Sequence, residues 1–280
     1  MSGVREVSGT VYLVGAGPGA ADLLTVRAAR LLRGADIVFY DALVSKDIVG
    51  LAVNAEKIQV GKRSGKRSTA QHFINKRLAD AARCHQVVVR LKGGDPMLFG
   101  RAQDEISYLN KHGIAVQVVP GVTAALAASA DLRVSLTQRG VSRSVVFATP
   151  RAAPDEAPSN WAAAVAAADT AVLYMAAGMA EQVRAELIAA GVSAAKPVAV
   201  VENASVDARI QSGVLAELGS FATGEKPVLV LLGDVYAALA AAREPQRAGE
   251  ERHEPGERPL GDRQTEEAPV HLRAFPAARK

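Results

Sequence analysis

Short apolar runs recur along the first half of this chain, each followed by a turn and then a stretch with helical spacing. Two of the turns are rich in glycine: GAGPG at 15–19 closes the run TVYLVG, and GGDPMLFGR at 93–101 closes VVVRLKG. Alternation of this kind restricts the chain to an α/β layer fold, because parallel strands need a crossover between them and a helix is the usual one. Ligands in open α/β sheets collect beyond the carboxyl ends of the strands. Glycine there lets backbone approach a ligand closely, since no Cβ intervenes. Two such turns predict one site fed by two strands.

The rest of the first half fits the same pattern. DIVFYD (36–41), KIQVG (57–61) and AVQVVPG (115–121) read as further strands. Helices are predicted over LLTVRAARLLRGAD with Gly34 as its stop, from Ser68 or Thr69 to Ala82, over 101–112 with Ile106 and Leu109 inward, and from Thr123. Near 131–137 the pattern breaks. SVVFAT, TAVLYM, PVAVVE and PVLVLLG follow as buried strands, with a fifth strand expected at 208–214 and an alanine-rich helix near 181–190. This half reads as a second, smaller α/β or α+β domain. The expected division is an N-terminal extension at 1–9, one domain at 10–133 and another at 134–243. Residues 244–280 are dominated by Glu, Arg, Pro and Gly and read as a disordered charged tail.

At 280 residues the chain can bury a sizeable core, and nearly half of it is apolar. No apolar run approaches the roughly 20 residues needed to span a bilayer, and the start MSGVREVSG has no apolar core of a secretion signal. A cytoplasmic protein is expected. Cys84 is the only cysteine, which excludes intrachain disulfides and cysteine-cluster metal sites; it reads as a packed small hydrophobe. The five histidines show no ligand spacing, so no metal is expected.

Gly15, Gly17 and Ala20 match GxGxxA, with Asp36 or Asp41 near the distance of a ribose ligand, which is the pattern of an NAD(P)-dependent oxidoreductase. Against it, Pro18 has no N–H to offer a pyrophosphate, and Asp95 would place a carboxylate close to the phosphates. Arg101 stands three and four residues before Asp104 and Glu105, a spacing that suits an ion pair on a helix or an arginine held by carboxylates at a cleft mouth. Lys62, Arg63, Lys66 and Arg67 crowd one loop, and Arg139 and Arg143 form a second basic group. No aromatics interleave with these charges, which disfavours nucleic acid. A small ligand with many carboxylates suits them better.

Taken together, VYLVGAGPGAADLLTVRAARLL, ADIVFYDALVS, VGKRSGKRSTAQHFIN, VVRLKGGDPMLFGRAQDE, VVPGVTAALAASA, LTQRGVSRSV, VLYMAA and VVENAS resemble the S-adenosylmethionine-dependent uroporphyrinogen-III C-methyltransferases of the tetrapyrrole methylase family. The match runs from Thr10 to Tyr236. The resemblance implies two α/β domains with the active site in the cleft between them, usually as a homodimer. It implies methylation of uroporphyrinogen III at C2 and C7, through precorrin-1 to precorrin-2, with S-adenosylmethionine as donor and no metal. The neighbouring alternative within the family is a sister methylase acting on a later tetrapyrrole.

By the same resemblance, Pro18, Gly93, Gly94, Asp95 and Leu98 line the cofactor pocket, Thr123 and Ala124 contact it from the small-residue helix, and Met175 and Ala204 close it from the second domain. Lys62, Arg63, Asp104 and Arg139 hold the tetrapyrrole, and Arg101 is the catalytic residue, as orienter and electrostatic stabiliser. Arginine is a poor base, with a pKa above about 12. The chain departs from the family pattern at FGRAQDE, where FGRGGEE is usual, at TQRG, where THRG is usual, and at Pro150, Arg151 and Arg67.

Overall fold

The computed structural model of the protein describes residues 9–60, 68–152, 159–221, 224 and 226–242. Lys62, Arg63 and Arg67, the first eight residues, and the tail expected from 244 lie outside the described residues.

The first sheet is built from β1 (Thr10–Gly15), β2 (Ile37–Asp41), β3 (Glu56–Val60), β4 (Val87–Lys92) and β5 (Ala115–Val119). Every pairing in it is parallel, in the order β3-β2-β4-β1-β5. The crossovers are α1 (Val26–Arg33) and α2 (Lys46–Gly50) on one face, and α3 (Ser68–Ala82) and α4 (Ala102–Lys111) on the other. α1 starts where the Thr25 hydroxyl accepts from the Ala28 N–H at 3.1 Å, and it ends at Gly34 as the sequence predicts. Because side chains alternate along a strand, Val11 and Leu13 bury against α3 and α4, whereas Val14 faces α1 and α2. β1 and β4 are neighbours, but the connections leaving them run opposite ways, to β2 and to β5. That makes the gap beyond their carboxyl ends a topological switch point, where open α/β sheets bind ligands.

α5 (Ala124–Leu132) leads to the second sheet: β6 (Val145–Ala148), β7 (Thr170–Leu173), β8 (Pro197–Glu202), β9 (Arg209–Val214) and β10 (Val228–Gly233). Its order is β6-β7-β10-β8-β9, with β6 and β7 parallel and the other pairs antiparallel. On one face lie α6 (Trp161–Ala167), which the sequence pattern does not single out, and α7 (Ala180–Ala189). The other face receives α5: Ala125, Ala128 and Leu132 share a core with Val172, Val201, Leu231 and Tyr236. Small side chains let that helix approach the sheet. α8 (Ala237–Ala241) closes the described chain.

Two expectations change here. Cys84 is exposed, because it follows the last residue of α3 in the turn to β4 and has no core to enter. Asp36 is a structural cap, since its Oδ2 accepts from the Gln86 and Val87 N–H groups at 2.9 and 2.8 Å. It sits at the amino end of β2, away from the glycine turns, so it cannot serve a ribose beside them. No helix among the described residues is long and apolar enough to cross a membrane.

Candidate functional site

The two glycine turns meet. Gly17 N donates to Gly94 O at 3.2 Å and Gly94 N to Gly17 O at 2.7 Å, while Ala16 N donates to Lys92 O at 2.7 Å. Gly17 and Gly94 have φ of +71° and +65°, a left-handed backbone that glycine adopts without strain. A third turn, after β5, joins them: a Cβ on Gly15 would fall 2.6 Å from Gly121 N and 2.7 Å from Gly94 O. Asp95 ties the junction together, with Oδ2 accepting from Gly121 N at 2.9 Å and Oδ1 from Met97 N at 2.8 Å. Each of its oxygens keeps lone-pair capacity for a ligand.

Segments of the second sheet close over this junction. Ala20 N donates to Ser205 Oγ at 3.1 Å, and Ser205 N to Asp131 Oδ2 at 2.8 Å. The Cβ position of Gly19 faces Val206 at 3.0 Å, with Ala204 O at 3.9 Å. Thr123 Oγ1 and Tyr174 Oη lie 2.6 Å apart, and Ala125 N donates to the same Oη at 3.2 Å. The Tyr174 ring packs on Phe99 at 5.1 Å. Burial raises the Tyr174 phenol above its usual value, against the lowering effect of its Thr123 and Ala125 hydrogen bonds. Pro18, Gly93, Gly94, Asp95, Leu98, Thr123, Ala124, Met175 and Ala204 thus lie on the turns and segments that meet here. Phe99, Arg101, Met175, Asn203, Ser205 and Asp207 all have φ between +50° and +69°. Non-glycine residues held this way cost about 1–3 kcal/mol each and cluster where function over-determines the backbone.

Arg101 is half exposed and pairs with Asp104, Nε–Oδ2 2.8 Å and Nη2–Oδ2 2.7 Å. Glu105, expected beside it, is a correction. Arg101 caps α4 in a left-handed conformation (φ 55°), so helical spacing does not carry from it to Glu105. Glu105 instead shares the buried face of α4 with Ala102 and Leu109 and is 0% exposed. Its Oε1 accepts from Arg90 Nε at 3.0 Å, Lys92 Nζ at 3.1 Å and Gln71 Nε2 at 3.2 Å. Arg90 also donates from Nη2 to Asp41 Oδ1 at 2.5 Å. Two cations and two carboxylates form a closed set below the second glycine turn, of which only Asp41, 31% exposed, opens outward. Burial opposes the Arg90 charge, but Asp41 and Glu105 hold it above its ordinary value. Burial, then Arg90, pushes the Lys92 ammonium below its usual range despite Glu105.

This cluster escapes the sequence reading, as does Tyr174. Its signal is present in VVVRLK: two cations two residues apart, on one face of a central parallel strand, must be neutralised inside the protein. Asp41 sits at the carboxyl end of β2, and the loop after it brings Leu43 Cβ to 4.0 Å from the Cβ position of Gly93. Its pairing with Arg90 replaces the ribose role entertained for it.

Arg139 stands exposed on the turn between Gln138 and Ser142, with no hydrogen bond to the other candidate residues among those described. Arg143 uses its N–H on Asp169 at 2.8 Å. A cavity of about 510 Å³ between α5 and β6 is lined by Leu126, Arg133, Leu136, Thr137, Val145 and Phe147 among others, and by none of the expected cofactor residues. Among the described residues no three or more His, Cys, Asp or Glu side chains gather as a metal site would need.

Residues 10–219 match the family of tetrapyrrole (corrin/porphyrin) methylases. A uroporphyrinogen-III C-methyltransferase of Pseudomonas aeruginosa is 41% identical over 234 residues, 82% of this chain and 95% of that protein. A siroheme synthase of Pseudomonas putida is 44% identical over 235 residues; the chain spans 51% of that longer protein. The crystal structure of a uroporphyrin-III C-methyltransferase from Thermus thermophilus, complexed with S-adenosylhomocysteine, superposes with a TM-score of 0.72 at 37% identity, covering 82% of this chain and 100% of that one.

Proposed function

The chain belongs to the tetrapyrrole (corrin/porphyrin) methylases, and from that premise we propose that it methylates uroporphyrinogen III at C2 and then C7, giving precorrin-2 through precorrin-1. It is a methyltransferase that uses S-adenosylmethionine. The observation that carries the substrate reading is the convergence of the two glycine turns at the β1/β4 switch point, in a chain 41% identical over 82% of its length to a uroporphyrinogen-III C-methyltransferase.

The junction fits the donor. Gly93 is exposed, and a Cβ on Gly94 would meet nothing within 4 Å, so bare backbone stands open to a ligand. We assign Pro18, Gly93, Gly94, Asp95, Leu98, Thr123, Ala124, Met175 and Ala204 to holding it. When bound, the donor supplies a methyl group on a sulfonium already activated for displacement. The protein's task is then to hold a pyrrole carbon in line, at about 3–3.5 Å, and to take up the proton that each methylation releases.

Arg101, locked to Asp104, serves as orienter and electrostatic stabiliser. Asp41 suits the proton better than any arginine: it is a carboxylate at the carboxyl edge of the sheet, next to the double-glycine turn and open on one side. Lys62, Arg63 and Arg139, with Asp104, would hold the substrate's acetate and propionate arms. The reading extends to a cytoplasmic homodimer without membrane or nucleic-acid partners, with domains dividing at 133/134. Exposed Leu126, Val141 and Phe147 give a second copy apolar surface to cover.

The test is an anaerobic incubation with uroporphyrinogen III and S-adenosylmethionine and no added metal. A product carrying two added methyl groups, heavier by two CH2 units because each methylation releases a proton, is expected. No methylated product, with a characterised enzyme working in parallel, refutes the proposal. Arg101→Ala should keep S-adenosylhomocysteine binding and lose turnover.

A further inference from the structure

We propose that Arg90, braced by Glu105, is a positioning residue that aims the Asp41 carboxylate at the substrate. The inference rests on the reading of Asp41 as proton acceptor. It starts from a feature that packing alone does not explain, since a central parallel strand is the least favourable place for a guanidinium. Arg90 is 2% exposed and yet reaches to the carboxyl end of the neighbouring β2, where it meets a carboxylate at the cleft edge.

Its three kinds of donor are all used: Nη2 on Asp41, Nε on Glu105 and Nη1 on Leu91 O at 3.2 Å. A planar guanidinium fixed at three points has little freedom to rotate, so the Asp41 Oδ1 it grips is held in place and the other oxygen is left for the substrate. Glu105 is held in turn by Lys92 and Gln71. Lys92 extends the brace upward, because its Cε lies 3.2 Å from the Cβ position of Gly100 in the second glycine turn. Donor turn and proton acceptor therefore stand on one buried frame, which keeps their separation constant through two successive methylations.

The experiment is a double-mutant cycle on the full chain, with kcat from steady-state methylation, S-adenosylhomocysteine affinity by calorimetry and Tm by circular dichroism. Arg90→Met leaves Glu105 still paired with Lys92, so the interior keeps one compensated pair. Misaiming a reacting group by about 1 Å costs up to ~100-fold in rate. A fall of about 10- to 100-fold in kcat is expected for Arg90→Met, with cofactor affinity within about twofold and partial recovery in Arg90→Lys. The deciding measurement is Arg90→Met in the Asp41→Asn background. If Arg90 acts through Asp41, the double variant is no slower than Asp41→Asn alone.

A further loss in the double variant equal to that of Arg90→Met, or an unchanged kcat in Arg90→Met itself, overturns the inference. Full activity in Asp41→Asn instead overturns the reading of Asp41 and this inference with it, and leaves the methyltransferase assignment standing. Should Arg90→Met fail to fold, Arg90→Lys is read by the same cycle, because a lysine keeps the charge but cannot bridge both carboxylates.

Discussion

Replacing Gly15 by alanine tests the junction of turns directly. Gly15 ends β1 and is absent from the residues with positive φ, so alanine brings no conformational strain there. The cost comes from contact. The new Cβ would lie 2.6 Å from Gly121 N, 2.7 Å from Gly121 Cα and 2.7 Å from Gly94 O. Carbon contacts settle near about 3.5 Å, so the turns must part by about 0.8 Å. All three obstacles are backbone, and no side-chain rotation relieves them. Overpacking of this kind costs about 1–3 kcal/mol. Parting the turns also stretches the Gly17–Gly94 pair and the Gly121–Asp95 bond, at about 1 kcal/mol for each bond lost. With one or two of these three bonds lost, the sum is about 2–5 kcal/mol, or a Tm lower by roughly 5–15 °C at this size. S-adenosylhomocysteine affinity should fall at least about tenfold, since about 1.4 kcal/mol of lost contact suffices. Gly113→Ala is the control. That residue has φ +69° with open space around its Cβ position, in the turn before β5. It should lose about 1–2 kcal/mol of stability and no cofactor affinity. Calorimetry on both variants decides: if Gly15→Ala binds S-adenosylhomocysteine within twofold of the parent, the junction does not lie under the ligand and the site assignment fails.

Two further substitutions probe tyrosine hydroxyls. Tyr174→Phe removes the acceptor of Ala125 N and the partner of Thr123 at the start of α5. It should cost about 1–2 kcal/mol in denaturant unfolding and loosen cofactor binding; unchanged stability would mean that the cap is not used. Tyr236→Phe has the opposite sign. The Tyr236 hydroxyl is buried with no hydrogen-bond partner, and burial raises its pKa far above 10.0. The unfolded chain releases this proton near pH 10 while the folded chain keeps it, so the group's contribution to stability is intact below pH 10 and lost as pH rises beyond. Tyr236→Phe should therefore gain up to about 1 kcal/mol at pH 7 and shift alkaline unfolding to higher pH. A clear loss of stability at pH 7 would show that the hydroxyl is bonded.

The first sheet is legible in the sequence because both of its faces are covered. The inner strands β1, β2 and β4 are then largely apolar runs, unlike the more exposed edge strands β3 and β5, and the crossovers are helices with an apolar stripe, so TVYLVG, DIVFYD and VVVRLK stand out without tertiary information. The convergence of the glycine turns follows from the same pattern, since parallel strands deliver their loops to one edge. α6 is harder to see, because WAAAVAA is short and nearly uniform in side-chain size, with only Trp161 and Val165 buried in it. Cys84 and Glu105 fail for a common reason. Residue type biases a cysteine inward and a glutamate outward, but each position's burial was decided by its place relative to a helix end. Cys84 falls just past the end of α3, and Glu105 one turn inside α4, on the face that Ala102 and Leu109 already commit to the core. Spacing from Arg101 misleads because that residue leaves helical geometry at the cap. The reliable clue runs the other way, from β4 to α4. Arg90 and Lys92 lie on the face of a central strand that packs against α4, so that helix had to supply a carboxylate, and helical periodicity leaves Glu105 as the acidic residue on its buried side.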